Sequence, residues 1–310
     1  MRQIIYKKKK MIWKIIFCVF CVLFCLTLHG IKVLSNLESS NYSAKDALYT
    51  ESSEEGVVEK NGVILDVSNK SEGYFLVEYI GNNSKVRVQI VSPDGSEKRP
   101  ILNRKNKYAV LPLSNGSGHY TIKVLENITD DKYNVLLSED IDVNISDEFK
   151  PFLYSNMYVD FENNEDVTEI GKKISKGTKS DLDVVRKVYD YMIKNFSYDK
   201  DKAKSVKDGY FPEPKETFTT NKGICFDFAS AMACILRSQG IPTKLEIGYC
   251  DGVRHAWINV YTKSSGVVDG VKFKGSEWVR LDPTTKICNK HKDVSNFVKD
   301  DSNYVVDQIY

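Results

Sequence analysis

Of the seven cysteines in this 310-residue chain, one stands where a thiol can react. Cys225 follows Gly223-Ile224 and opens a run in which Phe228, Ala229, Met232, Ala233, Ile235 and Leu236 recur at helical spacing. Gly240 fits the residue after the last turn of such a helix, and Pro242 bars its continuation. Cys225 is therefore expected at a helix N-terminus. The unpaired N–H groups there favour an anion, and the thiolate is the nucleophilic form of cysteine. Gly223 is expected to let the chain turn sharply just before it.

A thiolate nucleophile needs a proton partner, and the partner needs an orienting group. Thr243 to Tyr249 reads as a strand, Asp251-Gly252 as a hairpin turn and Arg254 to Tyr261 as the return strand. His255 lies near the start of that return strand, sharing a face with Trp257 and Asn259. A third strand, Glu277 to Leu281, ends in Asp282-Pro283-Thr284, so a carboxylate at its tip is available to fix the His255 tautomer. Any one of these residues has an ordinary structural explanation. Cys234, in the middle of the same helix, fits a buried small residue. An isolated His255 would fit a core histidine, and an isolated Asp282 a turn residue ahead of proline. Cys250, five residues before His255, is read as structural.

Upstream, Ser180 and Asp183 form a capping-box pair ahead of Leu182, Val185, Val188, Met192 and Phe196, one face of an amphipathic helix. A polar loop, Lys200 to Thr220, joins it to the Cys225 segment. Before that helix, Phe152, Tyr154, Tyr158 and Phe161 lie in an aromatic connector expected to dock between domains. From about Gly62 to Ile145 the period changes to two: Val86, Val88 and Ile90 alternate with Arg87 and Gln89, and Tyr120, Ile122 and Val124 with Thr121 and Lys123. Turn signals at Gly81-Asn82-Asn83, Pro93-Asp94-Gly95 and Asn115-Gly116 divide the runs, the pattern of an antiparallel β-sandwich. It contains no catalytic grouping, and His119 within it reads as a surface or packing residue. Two roles stay open for this region: a recognition or spacer module, or a packing partner for the next domain.

Lys7 to Lys10 precede an uncharged run from Ile15 to Leu28. Lysines ahead of an apolar run hold that end inside and imply export of the chain beyond it. The run is short of the ~20 residues that span a bilayer comfortably. A cleaved signal peptide and a retained anchor both fit, with the anchor slightly favoured. Residues 33–57 read as a tether. A net charge of +2, with 42% apolar and 28% charged residues, describes a globular chain and gives no support to a nucleic-acid partner. Cys18, Cys21 and Cys25 fall in the apolar run. Cys225, Cys234, Cys250 and Cys288 show no CxxC pair and no metal-like spacing, so neither a metal nor a cofactor is expected. A disulfide among Cys234, Cys250 and Cys288 is open outside the cell.

The blocks Gly223-Ile224-Cys225-Phe226-Asp227-Phe228-Ala229, His255-Ala256-Trp257-Ile258-Asn259-Val260 and Trp278-Val279-Arg280-Leu281-Asp282-Pro283-Thr284 resemble, in order and spacing, the core of the transglutaminase-like superfamily. Arg237-Ser238-Gln239-Gly240-Ile241-Pro242-Thr243, closing the Cys225 helix, matches as well. The resemblance covers about 180 to 290 and implies a papain-like α+β core. It implies Cys225 as nucleophile, His255 as general base and then acid, and Asp282 as orienter. The Cys225 N–H would form part of an oxyanion hole. Tyr198 stands where many relatives carry a tyrosine and is the candidate for its second donor. No acidic cluster resembles the calcium sites of animal transglutaminases. The expected organisation is a signal or anchor segment at 1–32, a linker at 33–57, a β-sandwich at 58–148, a transglutaminase-like domain at 149–298 and a tail at 299–310. The expected function is extracytoplasmic acyl transfer on peptide or protein amides, by hydrolysis or cross-linking, with membrane attachment through the N-terminal segment. The alternative is a binding or scaffolding module that kept the fold without the chemistry.

Overall fold

The computed structural model describes residues 47–53, 55–102, 107–207 and 209–310, and these form one compact unit. The expected signal or anchor segment at 1–32 lies outside the described residues. Among those described, no helix is long and apolar enough to cross a membrane. The last part of the expected tether is not loose. Leu48 bridges to Tyr154, Thr50 donates from both N and Oγ1 to Glu162, and Ser52 donates to Asp66.

The period-two region forms two four-stranded antiparallel sheets. The first contains β1 (Val57–Lys60), β2 (Val63–Asp66), β3 (Tyr74–Tyr79) and β6 (Ala109–Pro112), hydrogen-bonded in the order β1-β2-β3-β6. The second contains β4 (Val86–Val91), β5 (Glu97–Lys98), β7 (Gly118–Thr129) and β8 (Lys132–Val143), in the order β5-β4-β7-β8. Alternation buries one face of β4 and of the first half of β7. Val86, Val88 and Ile90 are buried while Arg87 and Gln89 reach the surface, and Tyr120, Ile122 and Val124 are wholly enclosed. His119 is exposed on β7 and bonded to Asp142 at 3.0 Å.

The aromatic connector joins this region to the next. Tyr154 packs on Tyr74 at 4.7 Å and donates to Glu72. Phe152 meets Trp278 edge-on at 5.4 Å, and Tyr158 contacts both Phe226 and Tyr310. Two helices come next, α1 (Glu165–Ser175) and α2 (Asp181–Asn195). Ser180 Oγ caps α2 by accepting from the Asp183 N–H, as the sequence pattern predicts.

The segment Lys200 to Thr220, expected as a loop, holds two short helices, α3 (Lys200–Ser205) and α4 (Pro214–Thr220). Asp199 caps α3 by accepting from the Asp201 and Lys202 N–H groups, and Pro214 starts α4 where a missing N–H costs nothing. Both are too short to show an apolar period, so composition alone reads them as loop. A two-residue parallel pair, β9 (Ser197–Tyr198) with β10 (Lys222–Gly223), fastens the start of this excursion to its end.

Helix α5 (Cys225–Ser238) is buried on every side. It lies on β11 (Thr243–Cys250) and β12 (Val253–Thr262) and is flanked by α1, α2 and α4. Asp251 and Gly252 take φ of 49° and 76°, the geometry of a type I′ hairpin between the two strands. A small hairpin, β13 (Gly266–Val268) and β14 (Val271–Phe273), precedes β15 (Glu277–Leu281). After α6 (Pro283–Cys288) and α7 (Ser295–Lys299), the chain returns as β16 (Tyr304–Ile309). The antiparallel sheet runs β15-β12-β11-β16. Residues 299–310 are thus no tail. They supply the edge strand of this sheet, with Tyr304 and Tyr310 buried. The sequence offers only Tyr304 to Val306 as a β-prone run, and its partner lies far away in the chain.

Candidate active site

Three elements meet at one end of the sheet: the start of α5, the start of β12 and the junction of β15 with α6. Cys225 is the first residue of α5, with Ile224 ahead of it in extended conformation. The Ile224 N–H donates to Asp227 Oδ2 at 2.8 Å, which closes the first turn. Asp227 is fully buried and is balanced by the Lys202 ammonium at 2.9 Å and by the Tyr210 hydroxyl, which donates to it. Gly223 is required for a different reason from the one the sequence suggests. Its φ is not in the left-handed region, but a Cβ there would lie 2.7 Å from the Asp227 Cβ. The residue allows close approach of the chain to the helix start.

His255 pairs across the sheet with Gly248, where the β11–β16 ladder shifts register. A Cβ on Gly248 would lie 1.9 Å from the Val305 carbonyl oxygen, so only glycine lets β16 pass this close behind the histidine. The ring of His255 stacks near Trp257 at 6.1 Å. Trp257 is held in turn, its indole N–H donating at 2.6 Å to Glu246, which also accepts from Asn259. Burial raises the Glu246 pKa against the pull of these two donors.

The His255 Nε2 lies 2.9 Å from Asp282 Oδ2. Nδ1 is left free of that bond, and the ring interacts with the Cys225 thiol, which lines the same cavity. Burial disfavours the imidazolium, but the bonds to Asp282 and Cys225 and their negative charge outweigh it, so the His255 pKa lies well above its usual value. Asp282 is wholly enclosed and does two jobs. Its Oδ1 accepts from the Thr285 N–H at 2.9 Å, which caps α6, while its Oδ2 accepts from the Thr285 hydroxyl and faces His255. Burial works to raise its pKa, but His255 and Thr285 hold it below the ordinary carboxylate range. Such a carboxylate stays ionised and fixes one imidazole tautomer.

Asp282 Oδ2 also accepts from the Tyr304 hydroxyl at 2.9 Å. Sequence reasoning misses Tyr304 because it sits in the segment read as a tail. The same hydroxyl interacts with Cys250, whose sulfur lies within 4.8 Å of ligand atoms of His255 and Asp282, so Cys250 stands closer to the site than a structural reading allows. All four described cysteines are free thiols, so no disulfide joins Cys234, Cys250 and Cys288. Cys234 is fully buried in α5, as expected.

A cavity of about 400 Å³ opens in front of Cys225 and His255. Tyr198 and Tyr210 form part of its wall, and Arg87 and Ile101, from the β-strand region, form another part. Tyr198 is brought to the same cavity as Cys225 by the β9–β10 pair. Burial and the charge of Cys225 push its pKa up to about 12, so its phenol keeps its proton and can donate.

Residues 168–283, the stretch that carries these groups, match the model of the transglutaminase-like superfamily. This part of the chain is a transglutaminase-like domain. The chain is 24% identical over 216 residues to YebA, an uncharacterised protein of Bacillus subtilis, covering 63% of this chain and 28% of YebA. It is 27% identical over 200 residues to a UPF0252 protein of Methanocaldococcus jannaschii, covering 58% and 55%. The chain therefore spans only about a quarter and about half of the length of these relatives. A solved structure of a candidate cysteine protease from Cytophaga hutchinsonii is 16% identical and covers 86% of this chain and 78% of its own. Its TM-score of 0.38 is too low to argue from.

Proposed function

We propose that the protein is an exported cysteine-dependent acyl-transfer enzyme that acts on peptide or protein amides through a thioester. The observation that carries this reading is Cys225 and His255 lining one open cavity and interacting there, with His255 hydrogen-bonded behind to the enclosed Asp282. Export rests on the lysine-led apolar run, Lys7 to Leu28.

In this reading the Cys225 thiolate attacks the amide carbonyl, the new S–C bond forms and the carbonyl electron pair moves to oxygen. The Cys225 N–H at the helix start and the Tyr198 phenol supply donors for that oxyanion. The tetrahedral adduct collapses, the C–N bond breaks and the leaving amine takes a proton from the His255 imidazolium. Neutral His255 then removes a proton from water or from an acceptor amine, which attacks the thioester and returns the thiol. Asp282 keeps the ring aligned throughout. Water gives hydrolysis and an amine gives cross-linking, and the same three residues serve both.

The test is to incubate the protein with activated acyl donors and glutamine-containing peptides and to look by intact mass for an adduct on Cys225. The expected result is an adduct that hydroxylamine removes and that Cys225→Ala cannot form. Donor turnover undiminished in Cys225→Ala would end this reading.

A further inference from the structure

Cys250 takes no part in the chemistry above, yet β-hairpin register brings it beside that chemistry's two supporting groups. One ligand atom each from Cys250, His255 and Asp282 lies within 4.8 Å of the others. We propose that these three residues form a binding site for a zinc-class divalent ion, and that filling it switches the enzyme off by stopping the His255 imidazole from cycling a proton. The inhibitory consequence rests on the function proposed above, whereas the binding itself does not.

The donor set is one thiol sulfur, one imidazole nitrogen and one carboxylate oxygen. A thiolate with an imidazole selects Zn²⁺ over Mg²⁺ or Ca²⁺, which take oxygen ligands. Tetrahedral zinc holds such donors about 2.0–2.3 Å from the metal. The His255–Asp282 contact, now 2.9 Å, has to open slightly and the sulfur to close in, shifts of roughly an ångström among atoms already within 4.8 Å of one another. Cys250 ends β11 beside the Asp251-Gly252 turn, and it and His255 are only partly buried, so an ion can reach them without unfolding the sheet. Asp282 is enclosed, which suits it to the innermost ligand. The fourth position is left to water.

Binding displaces the Cys250 thiol proton and the proton shared by His255 Nε2 and Asp282. The metal then occupies the nitrogen that Asp282 orients, and the ring can no longer carry a proton to a leaving group. The Tyr304 hydroxyl, which donates to Asp282 and interacts with Cys250, is placed to support both of these ligands. Sequence spacing hides this site. Cys250 and His255 are five residues apart across a turn, and Asp282 arrives from another strand.

Titration of the purified full chain with Co²⁺ as the spectroscopic probe, and with Zn²⁺ as the inhibitor, tests the idea. The expected result is one equivalent of Co²⁺ with near-ultraviolet thiolate-to-cobalt absorption, retained in Cys225→Ala and lost in Cys250→Ser and Cys250→Ala. Circular dichroism checks that these variants are folded. Zinc inhibition, each variant being compared with its own metal-free rate, should weaken at least about tenfold in Cys250→Ser and reverse with chelator. Absorption that survives in Cys250→Ser but disappears in Cys225→Ala would put the metal on the nucleophile and overturn the proposal. So would the absence of any thiolate band in the unmodified protein. A protein that binds Co²⁺ through Cys250 but turns over no amide would leave this site standing and remove the function proposed above instead.

Discussion

The β-strand region and the helix-and-sheet region bury similar apolar faces but differ in the polar groups they enclose. In the first, the buried charged groups among the described residues are Asp66 and Lys98. Both serve its joints: Asp66 takes the Ser52 hydroxyl of the incoming chain, and Lys98 donates to the Ile309 carbonyl across the boundary. In the second, Asp160, Asp227, Arg237, Glu246 and Asp282 are all enclosed, and three of them surround Cys225 and His255 within one or two contacts. Burying a charge is costly unless it is paired and hydrogen-bonded. The difference shows where the fold accepts that cost: at the joints in one region, and around a candidate reaction centre in the other.

The contrast breaks first at the sulfur. If the enclosed polar groups of the second region exist to support Cys225, then Cys225→Ala should lower kcat by about 10⁶, the scale on which a nucleophile's loss is felt, in assays with an activated donor. Its thermal midpoint should stay within a few degrees of the parent, because a small residue at a helix start carries little packing energy. A variant that melts far earlier would make the sulfur a structural element and erase the distinction.

Asp282→Asn is expected to be the next largest, about 10⁴ in kcat, through loss of the correct imidazole tautomer. It also carries a pH signature. Asp282 has a depressed pKa in the folded protein, so it contributes stability above the ordinary carboxylate range that is lost as pH falls through its folded value. His255 has a raised pKa, so its contribution is complete below about pH 6.5 and is lost as pH rises toward its folded value. The pair therefore stabilises most in mildly acidic solution. Asn at 282 should flatten both limbs in chemical denaturation measured across pH. Limbs as steep as the parent's would show that the carboxylate is not coupled to the ring.

Much of this centre is legible in the chain because its parts are local. Gly240 and Pro242 end α5, and Asp251-Gly252 turns β11 into β12. The Asp282-Pro283 pair marks both a strand end and a helix start. The features that escape are long-range. Gly248 looks like an ordinary strand glycine until β16 is known to pass behind it. Tyr304 and Cys250 acquire neighbours only through the β11–β16 register, which no local period encodes. The helices α3 and α4 are missed because a turn or two of polar helix, held by a cap and a proline, leaves no apolar stripe.

Arg237 separates structural from chemical burial within the second region. Among the described residues it has no carboxylate partner, and instead its guanidinium donates to the backbone carbonyls of Thr243, Tyr154 and Tyr310 at 2.7–2.8 Å. Arg237→Met takes a donor from three carbonyls, of which Tyr310 keeps the Leu245 N–H, and at about 1–3 kcal/mol for each of the other two a loss of about 2 kcal/mol or more is expected in urea unfolding. Activity of the fraction that remains folded should be close to that of the parent. A selective fall in kcat would instead tie Arg237 to the chemistry.

The smallest expected effect discriminates most finely, because Tyr304 belongs to the edge strand yet touches the innermost carboxylate. Tyr304→Phe keeps the ring's edge contact with Trp257 at 4.9 Å and its place under the Arg280 guanidinium at 4.2 Å, and removes only the hydroxyl. One hydrogen bond to a charged group is worth about 1.5–3 kcal/mol, although three other donors to Asp282 remain and will offset part of the loss. A fall in kcat of about tenfold, with KM unchanged, is the expected outcome for a positioning residue. The direction of the pH effect separates this role from simple packing. Losing a donor makes the Asp282 carboxylate easier to protonate, so the acid limb of the kcat profile should move to higher pH. A variant that loses stability but keeps the parent's profile would confine Tyr304 to holding β16 in place. The reaction centre would then end at Asp282.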